Sequence, residues 1–255
     1  MIVAAAAAGD PLRFDTSPAA VAATGRALLG TMVAALPLTA GRDSGPRLAE
    51  ALWPRLTARE PAPRDQNLLD AALILLADHD IAASTLAARI AASTRAHPYA
   101  VVSAGLAALD GPLHGAASGL AYDLLSGAVR RKDPVGTVAE LLRQGGGPVP
   151  GFGHSLYPDG DPRAKTLLDM LDDGPVRQTA LELAAVMQAR SGVLPNVDFA
   201  LAAMALHHEM PADAGETIFA VARTAGWVGH ALEEYADRPL RFRPNGQYEG
   251  RPPSA

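Results

Sequence analysis

The chain contains no cysteine among its 255 residues. That excludes disulfides, thiolate nucleophiles and cysteine-ligated zinc, and it permits a reducing compartment. Aromatic residues make up only 5%, so a core here has to be packed mainly from small aliphatic side chains. No run of Lys and Arg forms a basic stripe, and the net charge is −5. The electrostatic footprint of a nucleic-acid binder is therefore missing. No apolar run reaches the ~20 residues that span a bilayer, because charges and prolines interrupt each one. The opening Met1-Ile2-Val3 and its alanine run have no basic residues in front and stop at Gly9-Asp10, which is short for a cleavable signal. A cytoplasmic protein with no membrane or nucleic-acid partner is the expectation. HExxH and Gly-x-Ser-x-Gly are absent. His207 and His208 are adjacent, and neighbours on a helix project about 100° apart, so they do not chelate as an i, i+4 pair would. No metal site is expected.

What the chain has is alanine throughout, with 49% hydrophobic and 19% charged residues. Alanine is the best helix former, so the expectation is a mostly helical protein with closely packed helices. Ser17-Pro18 reads as a helix start, followed by an apolar stripe at Val21, Leu28, Leu29 and Val33. Residues 37–47 and 58–65 read as loops, with a short helix between them over Leu48 to Leu56. From about Gln66 to Ala77, Leu69, Leu73 and Leu76 mark another helix. Ser84 reads as the cap of the next, which carries Leu86, Ile90 and neighbouring alanines, and His97-Pro98 breaks it. A further helix runs to Asp110, where Gly111-Pro112 stops it, and one more follows Gly115. Residues 145–160 are too rich in glycine and proline for a helix. Asp161-Pro162-Arg163 restarts one, Asn196 to His208 forms another, and Ala212 to Tyr235 carries a stripe at Ile218, Val221, Ala225, Val228, Leu232 and Tyr235. The tail from Asp237 reads as extended. No alternating strand is evident.

Four segments are too polar, or too rich in glycine and proline, for their apolar settings: Asp78-His79-Asp80, Gly111 to Gly115, Pro150 to Arg163, and Asn196 to Phe199. Three carry a histidine beside a helix break and the fourth carries Asp198. Helix ends are where backbone N–H groups and side chains converge on an anion. Each residue also has a plainer reading. Asp198 can be a helix cap. Arg243 sits in a polar tail and can be solvated. Arg163 in a first helical turn opposes the helix dipole, which favours an anion-binding role. Arg223 lies in an apolar stretch and needs a partner. His97, His207, His208 and His230 read as structural or surface residues, and Trp227 as core.

Read in order, these segments resemble the citrate synthase family. Gly111-Pro112-Leu113-His114-Gly115 looks like its Gly-Pro-Leu-His-Gly motif. Gly151-Phe152-Gly153-His154, followed by Asp161-Pro162-Arg163, looks like a second block. Asn196-Val197-Asp198-Phe199 matches the segment with the catalytic aspartate, and Ala222 to Trp227 and Arg243-Pro244 match two arginine motifs. The resemblance runs from residue 66 to the end; the first 65 residues carry no such motif.

The resemblance implies an all-α fold with a large helical domain, residues 1–115 plus 202–255 and N-terminally shortened, and an inserted smaller helical domain, residues 116–201. It implies an acyl-CoA condensing enzyme with no tightly bound cofactor, whose co-substrates are oxaloacetate and acetyl-CoA, or propionyl-CoA in a 2-methylcitrate synthase. Asp198 would be the base, and His114 would stabilise the enol of the thioester. His154 would polarise the keto carbonyl, and His79, Arg163, Arg223 and Arg243 would hold carboxylates. In the family the last arginine comes from a second subunit, which implies a homodimer or a heteromer with a longer synthase chain. Two departures stand out. Asp78-His79-Asp80-Ile81-Ala82 lacks the family's asparagine, and Ser155 and Pro158 replace basic residues that meet CoA phosphates, leaving Arg143, Lys165 or Arg190 for that task. A non-catalytic metabolite-binding paralogue and a lyase running the reverse cleavage are the alternatives.

Overall fold

The computed structural model describes residues 1–39, 45–111, 113–145, 147–247 and 249–250. Pro112, Gly146 and residues 40–44 of the expected 37–47 loop fall outside them. The regular structure of the described residues is twelve α-helices: α1 (Ile2–Gly9), α2 (Pro18–Ala34), α3 (Leu48–Leu56), α4 (Pro63–Ala77), α5 (Ala83–Ser93), α6 (Pro98–Leu109), α7 (Ala117–Arg131), α8 (Pro134–Arg143), α9 (Pro162–Met170), α10 (Pro175–Ser191), α11 (Val197–His207) and α12 (Ala214–Ala236). The expected all-α fold is thus observed. One isolated antiparallel bridge pairs Phe152 with Pro195. None of the helices is long and apolar enough to cross a membrane.

Proline sets many of the helix starts. Pro18, Pro63, Pro98, Pro134, Pro162 and Pro175 each open a helix, where the missing N–H costs nothing and the fixed φ suits the first turn. Side-chain caps add to this: Asp133 accepts from Gly136 N–H, Asp161 from Arg163 N–H, and His97 from Ala100 N–H.

α12 is the helix on which much of the rest is packed; it meets α2, α4, α5, α6, α7 and α11. α7, α9 and α10 pack on α11, α8 closes on α7 and α10, and α9 reaches back to α4. With few aromatics, closeness comes from small residues. A Cβ placed on Gly105 of α6 would lie 2.5 Å from the Trp227 ring of α12, and Trp227 is fully buried, as a core residue should be.

Several expectations are corrected. α4 begins at Pro63, three residues before Gln66, because proline starts it. Ser84 is not the cap of α5 but a buried residue of its first turn, after the cap position at Ala82. Leu86 and Ile90 face outward, 40% and 43% exposed. α5 instead buries Ser84, Thr85, Ala88, Arg89 and Ala92, the narrow face that permits close approach to α6 and α12. On α12, Ile218, Val221 and Val228 of the expected stripe are buried and Leu232 and Tyr235 pack on the core, but Ala225 is exposed while Thr224 and Trp227 are buried. The opening alanine run is helical, and α8 and α10 went unread in the sequence. The tail after α12 is irregular and turns at Leu240 (φ +56), whose N–H donates to Ser93 O at 2.9 Å.

The α6–α12 contact has a direct test. Gly105→Val should destabilise the chain by about 2–3 kcal/mol in chemical denaturation, because backbone and indole cannot both yield. A change below ~0.5 kcal/mol would show that the contact is looser than described.

Candidate active site

A cavity of about 490 Å³ opens where the loop after α4, the start of α5, the turn before α7, the loop before α9 and the first turns of α9 and α11 meet α12. Six of the seven residues singled out in the sequence line it: His79, His114, His154, Arg163, Asp198 and Arg223. Arg243 does not; it is exposed on the tail. A second cavity of about 480 Å³ lies between Ile2, Leu36, Leu106 and Val221. Its ionisable side chains are Asp213 and Glu216, so it lacks any cationic side chain.

His154 is aimed by its backbone. Gly151 and Gly153 take φ values of +81° and +79°, a region costly for residues with a Cβ. They let the loop fold against the entrance of α11, where Asn196 N–H donates to Gly151 O and Asn196 Nδ2 to Gly153 O. Leu156 N–H donates to His154 Nδ1 at 3.2 Å. The neutral ring therefore carries its proton on Nε2, which is left as a donor. Burial and the nearby Arg163 hold the pKa of His154 below the usual histidine value.

His79 packs edge-on to His154, ring centroids 5.2 Å apart, and its Nε2 lies 3.0 Å from the Tyr157 hydroxyl. Burial, with help from Arg163, His154 and Arg223, pushes its pKa down to about 4, so the ring is neutral near pH 7. Tyr157 was not assigned a role from sequence. The signal available was an aromatic lodged between His154 and Asp161, directly before Pro158-Asp159-Gly160.

His114 lies inside the turn that Gly115 N–H closes by donating to Leu109 O, and its own N–H donates to Gly111 O. Its Nε2 is 2.8 Å from the Oγ of buried Ser84, a partner that the sequence reading treated only as a cap. Burial first, then Arg223, lowers its pKa. If Ser84 donates to Nε2, the ring presents Nδ1–H as a donor.

Asp198 is not the helix cap that its plainer reading offered. Asn196 takes that place, its Oδ1 accepting from the N–H of Asp198 and of Phe199. The Asp198 carboxyl is partly buried, and no hydrogen bond reaches it among the described residues. Burial pushes its pKa up to about 6, with Arg163 pulling the other way. A carboxylate of that basicity suits proton abstraction near neutral pH.

The two arginines differ. Arg163 is held by Asp161, its Nε donating to Oδ1 at 3.0 Å and its Nη2 to Oδ2 at 2.8 Å. Asp161 also accepts Val197 N–H at 3.0 Å. Burial raises the Asp161 pKa, but the hydrogen bonds and charge of Arg163 outweigh it and keep the group low. Asp161 thus offsets the charge of Arg163 at the start of α9 and fixes its guanidinium through Nε and Nη2. Arg223 is 1% exposed; its Nε donates to Leu76 O at 2.7 Å and its guanidinium lies 4.7 Å from the Phe219 ring centroid. Among the described residues its buried Nη1 has no hydrogen-bond partner. Burial pulls its pKa down to about 10, which leaves it charged at pH 7.

Of the residues considered for a nucleotide, Arg143 pairs with Glu140 and Lys165 with Asp169, both on exposed helix faces. Neither these nor Arg190 lines the cavity. Beside His79 the wall is Asp80, Ile81, Ala82 and Ala83, and the cavity lining contains no side-chain amide.

An all-helical protein with three neutral histidines, a poised carboxyl and a buried cation around one cavity can bind an anion and move a proton between a carbon acid and a carboxylate. The chain belongs to the citrate synthase family: the family model for the citrate synthase C-terminal domain matches residues 13–245. The citrate synthase of Acidithiobacillus ferridurans is 36% identical over 209 residues, 76% of this chain and 53% of that protein. The solved citryl-CoA lyase of Hydrogenobacter thermophilus superposes with a TM-score of 0.73 and 31% identity, covering 81% of this chain and 85% of that one. The citrate synthase of Thermoplasma acidophilum, solved with carboxymethyl coenzyme A and oxaloacetate, gives a TM-score of 0.79 at 25% identity over 99% of this chain and 72% of that one. The chain spans about half the length of the curated relatives it matches.

The raised pKa of Asp198 carries a stability consequence. A carboxyl whose folded pKa lies above its unfolded value of 3.8 costs stability as pH rises from about 4 through 6. Asp198→Asn should therefore be more stable than the parent at pH 8, by about 1–2 kcal/mol after allowance for partial exposure. The gain should vanish at pH 3, where both states are protonated. Equal stability at both pH values in denaturant titrations would show that the carboxyl is not poised by burial.

Proposed function

We propose that the chain catalyses condensation of an acyl-CoA with a keto-dicarboxylate: oxaloacetate, acetyl-CoA and water to citrate and CoA. The observation that carries this reading is the single cavity in which Asp198, with a pKa of about 6, faces neutral His114 and His154 and the unpaired Nη1 of Arg223.

Arg223 and Arg163 would take the carboxylates of oxaloacetate, with His79 as a neutral donor or acceptor beside them. His154 would donate Nε2–H to the keto oxygen, drawing electron density from the carbon under attack. Asp198 would remove a proton from the methyl group of the acyl-CoA while His114, as the Nδ1–H tautomer with Ser84 donating to Nε2, hydrogen-bonds the thioester oxygen. The enol carbon would form the new C–C bond, and the alkoxide would take a proton from His154. Water then cleaves the thioester and releases CoA.

In the same reading Arg243 serves a second copy or a longer partner chain, because on its own chain it lies outside the cavity. The division into a domain of 1–115 plus 202–255 and one of 116–201 puts Arg223, His79 and His114 on the first, and His154, Arg163 and Asp198 on the second. Movement of one against the other would exclude water. We propose a cytoplasmic location.

A second reading is favoured by the likeness to citryl-CoA lyase at 31% identity. The same residues run backwards would cleave citryl-CoA: Nε2 of His154, once deprotonated, takes the hydroxyl proton, the C–C bond breaks, and protonated Asp198 gives its proton to the enol carbon. A binding protein without turnover would need Arg223 but not Asp198.

CoA release decides among these. The purified chain should release CoA from acetyl-CoA with oxaloacetate, and Asp198→Ala should lose at least ~10³-fold in kcat while oxaloacetate still raises the melting temperature. Faster release from propionyl-CoA would make it a 2-methylcitrate synthase. Cleavage of citryl-CoA without net condensation would favour the lyase, and binding without turnover would contradict both enzyme readings.

A further inference from the structure

Outside the cavity, buried charges cluster where α5, the end of α12 and the tail meet. Glu234 is fully buried on α12, between Arg89 of α5 and Arg241 of the tail. Arg89 Nη2 is 2.5 Å from Glu234 Oε1, and Arg241 Nε donates to Glu234 Oε2 at 2.8 Å. In the other direction Arg89 Nη1 lies 2.5 Å from Glu233 Oε2 and 2.5 Å from His230 Nδ1. A guanidinium can only donate, so His230 Nδ1 accepts and its Nε2 carries the proton. Nε2–H then donates to Asp78 Oδ1 at 3.0 Å.

The ends of this chain of contacts are informative. Asp78 immediately precedes His79, and Arg241 stands two residues before Arg243. α12 seats the loop at two points one turn apart on a single face. At Gly226 a Cβ would lie 2.1 Å from Ala77 O, and at His230 the imidazole takes the Asp78 carboxylate. On its far side His79 meets Tyr157. The tail is tied to the same corner by Arg95, whose guanidinium donates to Glu234 O and Asp237 O. Buried ion pairs seldom stabilise more than apolar residues of the same shape, so one kept between two site-bearing segments points to orientation rather than stability.

We propose that Asp78, His230, Arg89, Glu234 and Arg241 form a positioning relay that fixes the direction of His79 and ties its loop to the tail bearing Arg243. The inference rests on the reading of His79 as a group that holds the keto-acid substrate. None of the five touches substrate, and each acts through His79 or the tail.

The test uses the whole chain. His230→Leu should raise the KM for oxaloacetate about 10-fold and leave kcat within ~3-fold, and His230→Gln, whose amide both accepts and donates, should restore KM to within ~3-fold of the parent. Asp78 is exposed, so Asp78→Ala should give the same rise without emptying a buried position. Independently of turnover, the imidazole nitrogen resonances of His79 should shift in His230→Leu and return in His230→Gln. Folded variants with unchanged KM and an unmoved His79 resonance overturn the relay, as does an equal loss in kcat and kcat/KM. If the parent chain neither binds nor turns over oxaloacetate, the functional reading fails, and the His79 resonances alone decide the relay.

Discussion

A guanidinium buried in the wall of a cavity governs this site. Arg223 is 1% exposed, keeps its charge, and has a buried Nη1 without a hydrogen-bond partner among the described residues. An unpaired buried donor on a cation is expensive, and the protein offers it a carbonyl and an aromatic face but no carboxylate bonded to it among the described residues. The same charge helps hold His79 and His114 neutral, so the imidazoles can donate hydrogen bonds without adding positive charge. A site with one uncompensated cation, neutral donors and a carboxyl whose pKa burial has raised is built to gain an anion before any proton moves.

The fold supplies that arrangement by close packing rather than by bulk. Arg223 lies on α12, and α12 is gripped through small residues: Gly105 of α6 beneath Trp227, and Gly226 against the carbonyl of Ala77. The second contact seats the loop carrying His79 directly on the helix that carries Arg223. On the opposite wall Asp161 does comparable work. One carboxylate caps α9, holds Arg163 through two bonds and accepts Val197 N–H at the start of α11, so the arginine and Asp198 move as one piece.

His79, His114, His154 and Asp198 were legible in the sequence because each sits in a short polar interruption of an apolar helix pattern, and Arg223 as a lone charge in an apolar stretch; their order resembles one family. The partners that tune them were not. Ser84 reads locally as a helix cap, yet it is buried against His114, thirty residues away. Tyr157 and His230 act across 78 and 152 residues of sequence, distances over which periodicity carries no information. On α5 the alanines named with Leu86 and Ile90 are the ones buried, while the two larger side chains face outward, because only a narrow face lets the helices approach. Arg243 is the opposite case: it was named through the resemblance, and on its own chain it stands apart from the cavity.

The central claim, that the buried charge of Arg223 is held in readiness for a substrate carboxylate, has a direct test in calorimetric titration of oxaloacetate at pH 7 into the parent chain and into Arg223→Met. The account expects saturable binding to the parent and at least ~30-fold weaker binding to the variant, within the range for loss of a charged hydrogen bond. Equal affinity in both, with the variant folded, would contradict it.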